Sequence, residues 1–260
     1  MHITIKVLSK SDDYDLDYFI SVRAIRKINE GKYSSVYLTN YKNYVVKIFK
    51  KKQSKYFIKE SEIFNKLKDK KNYPKHLIKY ILHGVIYECD KIKYKNKDLL
   101  VMNRYNEFNY LYPELKSIPL IFYKDYKYFI LEFIYKLLLV NKFIEDELNA
   151  VNIDINIQNI MINDNDIIMI DLGMLIENKN DDMYIDNLSN YITWPYGKTK
   201  LKYIANYSIA ITAIHLLYKN KNFNIDLDNN IKIVLKILLA KKYNTSYVID
   251  FIKEHYGNFI

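Results

Sequence analysis

Apolar and polar positions alternate through residues 23–50, the period of half-buried strands, with turn chemistry at Glu30-Gly31-Lys32 and again over 39–43. Three antiparallel strands are predicted there. A helix is predicted over 53–70, ended by Asn72-Tyr73-Pro74. Within it, Ile63, Phe64 and Leu67 fall three, four and seven positions after Glu60, so Glu60 heads the buried stripe. Glu62 is turned about 200° from Glu60 at 3.6 residues per turn and faces solvent. A carboxylate on an inward face is costly unless paired. Lys47, in Val45-Val46-Lys47-Ile48 on the neighbouring strand, is the expected partner. Strands at 78–88 and 97–104, with the Lys-rich stretch 91–97 as their turn, complete a five-stranded antiparallel sheet with one helix.

Beyond residue 105 the pattern turns mainly helical. Helices are predicted at 106–116 and 124–145, separated by Pro113 and Pro119, then at 201–218, 229–242 and 245–255. The runs Ile160-Met161-Ile162 and Ile167-Ile168-Met169-Ile170 bracket a turn at 163–166 and read as a hairpin. The fold class is therefore α+β. The most apolar segment, 129–140, is too short for a membrane span and carries Glu132 and Lys136.

A chain of 260 residues can bury a sizeable core. No linker-like composition or internal repeat divides it. Its one cysteine, Cys89, excludes an intrachain disulfide and fits a reducing compartment. Five scattered histidines offer no zinc-ligand spacing. The start, Met1-His2-Ile3-Thr4-Ile5-Lys6-Val7, lacks the basic segment and long apolar run of a signal peptide, so a cytoplasmic location is expected. The formal net charge is +10, which would suit nucleic acid or an acidic surface. With 27 Tyr against 5 Gly and 1 Trp, the chain is biased toward Lys, Asn, Ile and Tyr throughout, and the charge reads first as solvated surface.

Chemistry concentrates in Asn152-Ile-Asp154-Ile-Asn156-Ile-Gln158-Asn159 and, past the hairpin, Ile170-Asp171-Leu172-Gly173. The hairpin is expected to hold Asp154, Asn159 and Asp171 near one another. Carboxylate and amide oxygens suit Mg²⁺, a hard ion that keeps several waters and takes few protein ligands.

These segments resemble the catalytic and metal loops of the protein-kinase superfamily, H-R-D-L-x-x-x-N and D-F-G. Val45–Ile48 resembles its V-A-I-K strand, and 28–37 resembles its glycine-rich loop with only Gly31 kept. The order along the chain agrees, over roughly residues 22–220. The resemblance implies a single bilobal kinase-like domain, 1–260, with an N-terminal lobe at 1–103 and a shortened, mainly helical lobe at 104–260. It implies ATP and Mg²⁺ as cofactors and a protein Ser/Thr substrate. By the same resemblance Asp154 is the catalytic base, and Lys47 binds the α- and β-phosphates, braced by Glu60. Asn159 and Asp171 hold the metal. Gly31 lets the loop approach phosphate, Val36 covers adenine, Met102 is the gatekeeper, and Asn103 to Tyr105 form the hinge that offers backbone hydrogen bonds to adenine. The bias toward Lys, Asn, Ile and Tyr would suit an insect-virus, apicomplexan or slime-mould source, and the brevity of the domain and its altered motifs favour a virus.

The departures are specific. Ile153 stands where the family has Arg, Asn152 where it has His, and Asn156 where Ser/Thr kinases have Lys. Trp194-Pro195-Tyr196 replaces A-P-E, so aromatic packing is expected to hold that segment without phosphorylation of Tyr184, Ser189, Tyr191 or Thr193. A regulatory pseudokinase and a small-molecule kinase are the alternatives.

Overall fold

A computed structural model describes residues 1–7, 18–52, 54–106, 108–110, 126–163, 166–178, 183–185, 199–218 and 228–257. The chain divides into two compact units, Met1–Lys71 with Ile78–Asn106, and Asn72–Leu77 with Glu107–Ile260.

The first unit is a closed antiparallel barrel of six strands: β1 (His2–Val7), β2 (Tyr18–Glu30), β3 (Ser34–Thr39), β4 (Tyr44–Phe49), β5 (Tyr80–Cys89) and β6 (Asp98–Asn103). Their order around the barrel is β1-β2-β3-β4-β6-β5. This overturns the expected bilobal kinase-like fold, whose small lobe is an open five-stranded sheet. The sixth strand is the N-terminal segment. β1 pairs with β2 through Ile5↔Ile20 and with β5 through Ile5↔Ile86, so it joins the two edges that an open sheet would expose. The seam is tight. A Cβ on Gly84 would lie 2.4 Å from the carbonyl oxygen of Lys6, so this strand position requires glycine. The first predicted strand also begins earlier, at Tyr18.

Alternation along the strands sorts side chains to two faces. Ile3, Ile5, Val22, Ala24, Val46, Ile48, Ile86, Leu99 and Val101 form one core cluster, filling the barrel. The opposite parity on β4 and β6 places Val45, Lys47, Phe49, Leu100 and Met102 outside, yet all are buried. Helix α1 (Lys55–Leu67) accounts for this, laying Phe57, Glu60, Ile63, Phe64 and Leu67 inward. The Phe57 ring meets Phe49 and His83, and Phe64 meets Tyr80 and His83. Ser54 caps the helix by accepting from the Tyr56 N–H at 3.3 Å.

The second unit is built on α2 (Tyr126–Leu148), apolar nearly all round through its middle: Ile130, Phe133, Ile134, Leu137, Leu138 and Ile144 are fully or almost fully buried. α2 packs on α3 (Ile204–Tyr218) and α5 (Thr245–Tyr256), and α3 also meets α4 (Asn229–Leu239). Among the described residues no helix is long and apolar enough to cross a membrane.

Short strands connect these helices. They are β7 (Asn109–Tyr110), β8 (Ala150–Asn152), β9 (Ile160–Ile162), β10 (Ile167–Met169), β11 (Leu175–Glu177), β12 (Tyr184–Ile185) and β13 (Thr199–Lys200). The expected hairpin is present as β9 against β10, Ile162↔Ile167 to Ile160↔Met169. Where a helix was predicted over 106–116, Asn109 and Tyr110 instead extend this sheet beside Ile162 and Met161. The remainder of that prediction, 111–116, lies outside the described residues. Two residues are too few for any periodicity to show.

Candidate active site

The local path explains how the acidic loop is held. α2 ends at Leu148, and Asn149 takes the left-handed conformation, φ 47°, that stops a helix. Asn149 also exchanges bonds with Asn178, donating from Nδ2 to its carbonyl and accepting from its N–H. β8 then runs antiparallel to β11, with Asn152 opposite Leu175. The β9–β10 ladder follows, and the N–H of Ile170 closes on the carbonyl of Asn159 at 2.9 Å. Both acidic residues thus leave paired strands. The alternation of polar and isoleucine positions anchors the loop between them: Ile153, Ile155 and Ile157 are buried, as is Leu172. From α3, the Thr212 hydroxyl donates to the carbonyl of Ile155 at 3.0 Å.

Every polar atom of Asp154 is engaged by an asparagine of the same loop. Its N–H donates to Oδ1 of Asn152 at 3.0 Å. Its Oδ1 accepts from Nδ2 of Asn156 at 2.8 Å, and its Oδ2 from Nδ2 of Asn159 at 2.9 Å. The same two amides donate to its carbonyl, at 3.1 and 2.9 Å. Asn152, fully buried, also donates to the carbonyl of Asp171 at 3.4 Å, bridging the two acidic segments. Oδ1 of Asp171 accepts from the N–H of Gly173 at 2.8 Å. Burial and then the negative charge of Asp171 push the Asp154 carboxyl up to about 6, against the opposing amide bonds.

This set fits a hard divalent cation. Asp171 brings a carboxylate. The Asn159 amide, its nitrogen committed to Asp154, has its oxygen as the atom that could serve a metal. Among the described residues no three His, Cys, Asp or Glu gather as a metal cluster.

In the barrel unit, Nζ of Lys47 lies 2.7 and 2.8 Å from the two carboxylate oxygens of Glu60, both side chains buried. The expected pair is present, and Glu62 is exposed as the helical stripe required. Val36 sits opposite Lys47, which sits opposite Leu100, and Met102 sits opposite Val45. Val36, Lys47 and Met102 therefore share the outer face of three adjacent strands. Two expectations about the neighbouring loops need qualification. The N–H of Asn103 donates to the carbonyl of Lys79 at 2.9 Å and that of Arg104 to Asn43 at 2.8 Å, so neither is available to an adenine ring. The Tyr105 hydroxyl accepts from the N–H of Lys79 at 3.3 Å. A Cβ on Gly31 would make ordinary contact, 3.8 Å from the Ser34 carbonyl, so nothing among the described residues demands glycine there.

Sequence reasoning missed a charged cluster at the hairpin turn. Asp166 lies 2.8 Å from Nδ1 of His76 and 3.0 Å from Nζ of Lys136, with Lys75 at 3.5 Å. Lys136 also pairs with Glu132 at 2.7 Å. Burial alone would raise the Asp166 carboxyl, but the hydrogen bond from Lys136 and the bonds and charges around it hold it below the usual range. The backbone reinforces the cluster, with the N–H of Met169 donating to the carbonyl of His76 at 2.8 Å. The one sequence signal was Lys136 on an apolar helix face. Ser189, Tyr191, Thr193 and Trp194-Pro195-Tyr196 lie outside the described residues. Compared with family models and with curated proteins, the chain shows no match in either.

Proposed function

We propose that this protein is an ATP- and Mg²⁺-dependent phosphotransferase whose acceptors are hydroxyl groups, with protein Ser and Thr as the substrate class and the cytoplasm as its setting. The proposal rests on the site and its motifs, not on the scaffold, since one chemistry recurs on unrelated folds. The observation that supports it most is Asp154: a carboxylate fixed through both oxygens, with Asp171 close enough to raise its proton affinity.

Asp154 orients the acceptor hydroxyl and receives its proton. A carboxyl near 6 is ionised at neutral pH yet more basic than an ordinary surface carboxylate, which suits a base. Asp171 and the oxygen of Asn159 would hold Mg²⁺, which when bound neutralises phosphate charge. Lys47, its Nζ aimed by both oxygens of Glu60, carries the positive charge assigned to the α- and β-phosphates. Val36 and Met102, on the same face as Lys47, supply apolar surface for the base. Asn103 and Tyr105 contribute through atoms other than the Asn103 N–H, and Gly31 through its small size.

The test is incubation of the purified chain with labelled ATP, Mg²⁺, and pooled protein and metabolite acceptors, alongside Asp154→Asn and Asp171→Asn. Label in protein Ser or Thr, lost in both variants by more than about a hundredfold, is expected; ligand shells around metals commonly cost 10–100-fold when disturbed even at second remove. Label in metabolites instead would move the acceptor class. Nucleotide binding without transfer would make the protein a regulatory binding module, and no nucleotide binding at all would sink the proposal.

A further inference from the structure

We infer that Asn156 is a positioning residue for Asp154, holding the carboxylate in the one orientation in which it can meet an acceptor hydroxyl; this rests on the phosphotransferase reading above. Asn156 uses both ends of its amide. Nδ2 donates to Oδ1 of Asp154 at 2.8 Å and to its carbonyl at 3.1 Å. Oδ1 accepts from the N–H of Gln158 at 2.8 Å, capping the 3-10 turn Ile157–Asn159. The cap alone would be an ordinary structural duty for asparagine. The contact to Asp154 is different. Asn159 already holds Oδ2 at 2.9 Å, and a carboxylate held at one oxygen can still swing about that contact. A second donor on the other oxygen removes this freedom. Both donors lie on the loop that carries Asp154, two and five residues on, so the frame is set by a few residues whose buried isoleucines fix the backbone. With the nitrogen on Asp154 and the oxygen on Gln158, the amide is committed within the loop; its work is orientation.

The two duties separate by substitution. Asn156→Ser and Asn156→Asp both keep an oxygen able to cap the turn, and serine and aspartate cap about as well as asparagine. Neither keeps an amide donor for Asp154. The expected result is a melting temperature close to that of the parent. Crystal structures of the variants should show the Asp154 carboxylate rotated or divided between orientations. Turnover should fall about 10- to 100-fold in kcat with KM for ATP within about twofold, since misplacing a reacting group by about 1 Å costs on that order. Asn156→Ser is decisive, because Asn156→Asp also sets a second negative charge beside Asp154. An Asp154 that keeps its parental orientation in Asn156→Ser overturns the inference, and so does an unchanged kcat in an active parent. If the parent transfers no phosphoryl group, the functional reading falls while the crystallographic comparison still decides the positioning role.

Discussion

The ammonium of Lys47 is bonded to both oxygens of Glu60, at 2.7 and 2.8 Å, across the seam between the barrel's outer face and helix α1. Both side chains are nearly out of solvent. Such a pair does little for stability as a pair, but breaking it leaves an uncompensated buried charge. Lys47→Met or Glu60→Leu alone should destabilise the protein by about 3–5 kcal/mol. The double replacement, Lys47→Met with Glu60→Leu, should recover most of that loss, because apolar residues of similar volume often match a buried ion pair. Urea unfolding of the three variants measures it. A double variant as unstable as the worse single one would show that the pair is not the dominant interaction of either residue. A stable double variant also supplies a folded protein from which phosphoryl transfer should be absent.

Closure of the barrel is testable at Gly84. A methyl group there would lie 2.4 Å from the carbonyl oxygen of Lys6 and 2.8 Å from a side-chain carbon of Ile5. Gly84→Ala must push β1 away from β5, and overpacking of this kind costs about 1–3 kcal/mol. Gly31→Ala is the control, since its methyl meets only the Ser34 carbonyl at ordinary distance, 3.8 Å, and its effect should stay within about 0.5 kcal/mol. Thermal melts of the two variants give the comparison. Equal stability in both would mean that β1 does not close the sheet.

How far the sequence could be read differs from element to element, for physical reasons. The strands from residue 23 to 50 and helix α1 carry their periods openly, and that is why the Lys47–Glu60 pair could be anticipated. β1 carries the same signal, Ile3, Ile5 and Val7 alternating with His2, Thr4 and Lys6, but a strand's partners are non-local. Nothing in six residues states that they bridge β2 and β5, and the glycine at residue 84 only permits that approach. β7 and β11, two and three residues long, are below the length at which alternation means anything. In the acidic loop, the spacing of Asp154, Asn159 and Asp171 was legible. The amide frame was not, because asparagines are abundant in this chain and only the loop's backbone decides which ones turn toward Asp154. The Asp166 cluster joins positions 75, 76, 132, 136 and 166, a grouping that exists only once the chain is folded.

Glu145 provides a pH-dependent test within the helical unit. Its Oε1 accepts from Nδ2 of Asn141 at 2.7 Å and from the Thr245 hydroxyl at 2.8 Å, among the buried polar groups shared by α2 and α5. Burial raises its carboxyl above the ordinary value of 4.5, and these hydrogen bonds only partly oppose it. Between the unfolded and the raised folded value the native state holds more protons than the unfolded chain, so stability falls as pH rises through that window. Glu145→Gln keeps an oxygen for both donors and removes the charge. Its melting temperature should match the parent's near pH 4 and exceed it at pH 7 and above, the difference opening as pH rises through the raised folded value. A parent that is the more stable at neutral pH would contradict the account.

The hairpin that leads to Asp171 should depend on Asp166 in the opposite sense. Lys136, His76 and Lys75 all face this one carboxylate, and Glu132 shares Lys136. The Asp166 carboxyl is held below its ordinary value of 3.8, so its contribution is complete above that value and is lost as pH falls through the lower, folded one. Asp166→Asn takes away the charge while keeping the shape. It leaves Lys136, buried on α2, with Glu132 as its remaining carboxylate among these contacts, and leaves His76 beside a neutral amide. The loss at neutral pH should be about 1–3 kcal/mol, the cost of leaving buried polar groups poorly matched. The parent and the variant should converge as pH falls through the lowered folded value, where the native carboxylate is itself protonated. Because β10 runs directly into Asp171 and the N–H of Met169 is bonded to His76, the damage should be local as well as global. Hydrogen exchange is the sensitive measurement. Amides of Ile167 to Met169 should lose protection in Asp166→Asn by more than those of β4, in the separate barrel unit, do. Uniform loss across both units would mean that Asp166 contributes to overall stability without bracing the Asp171 loop in particular.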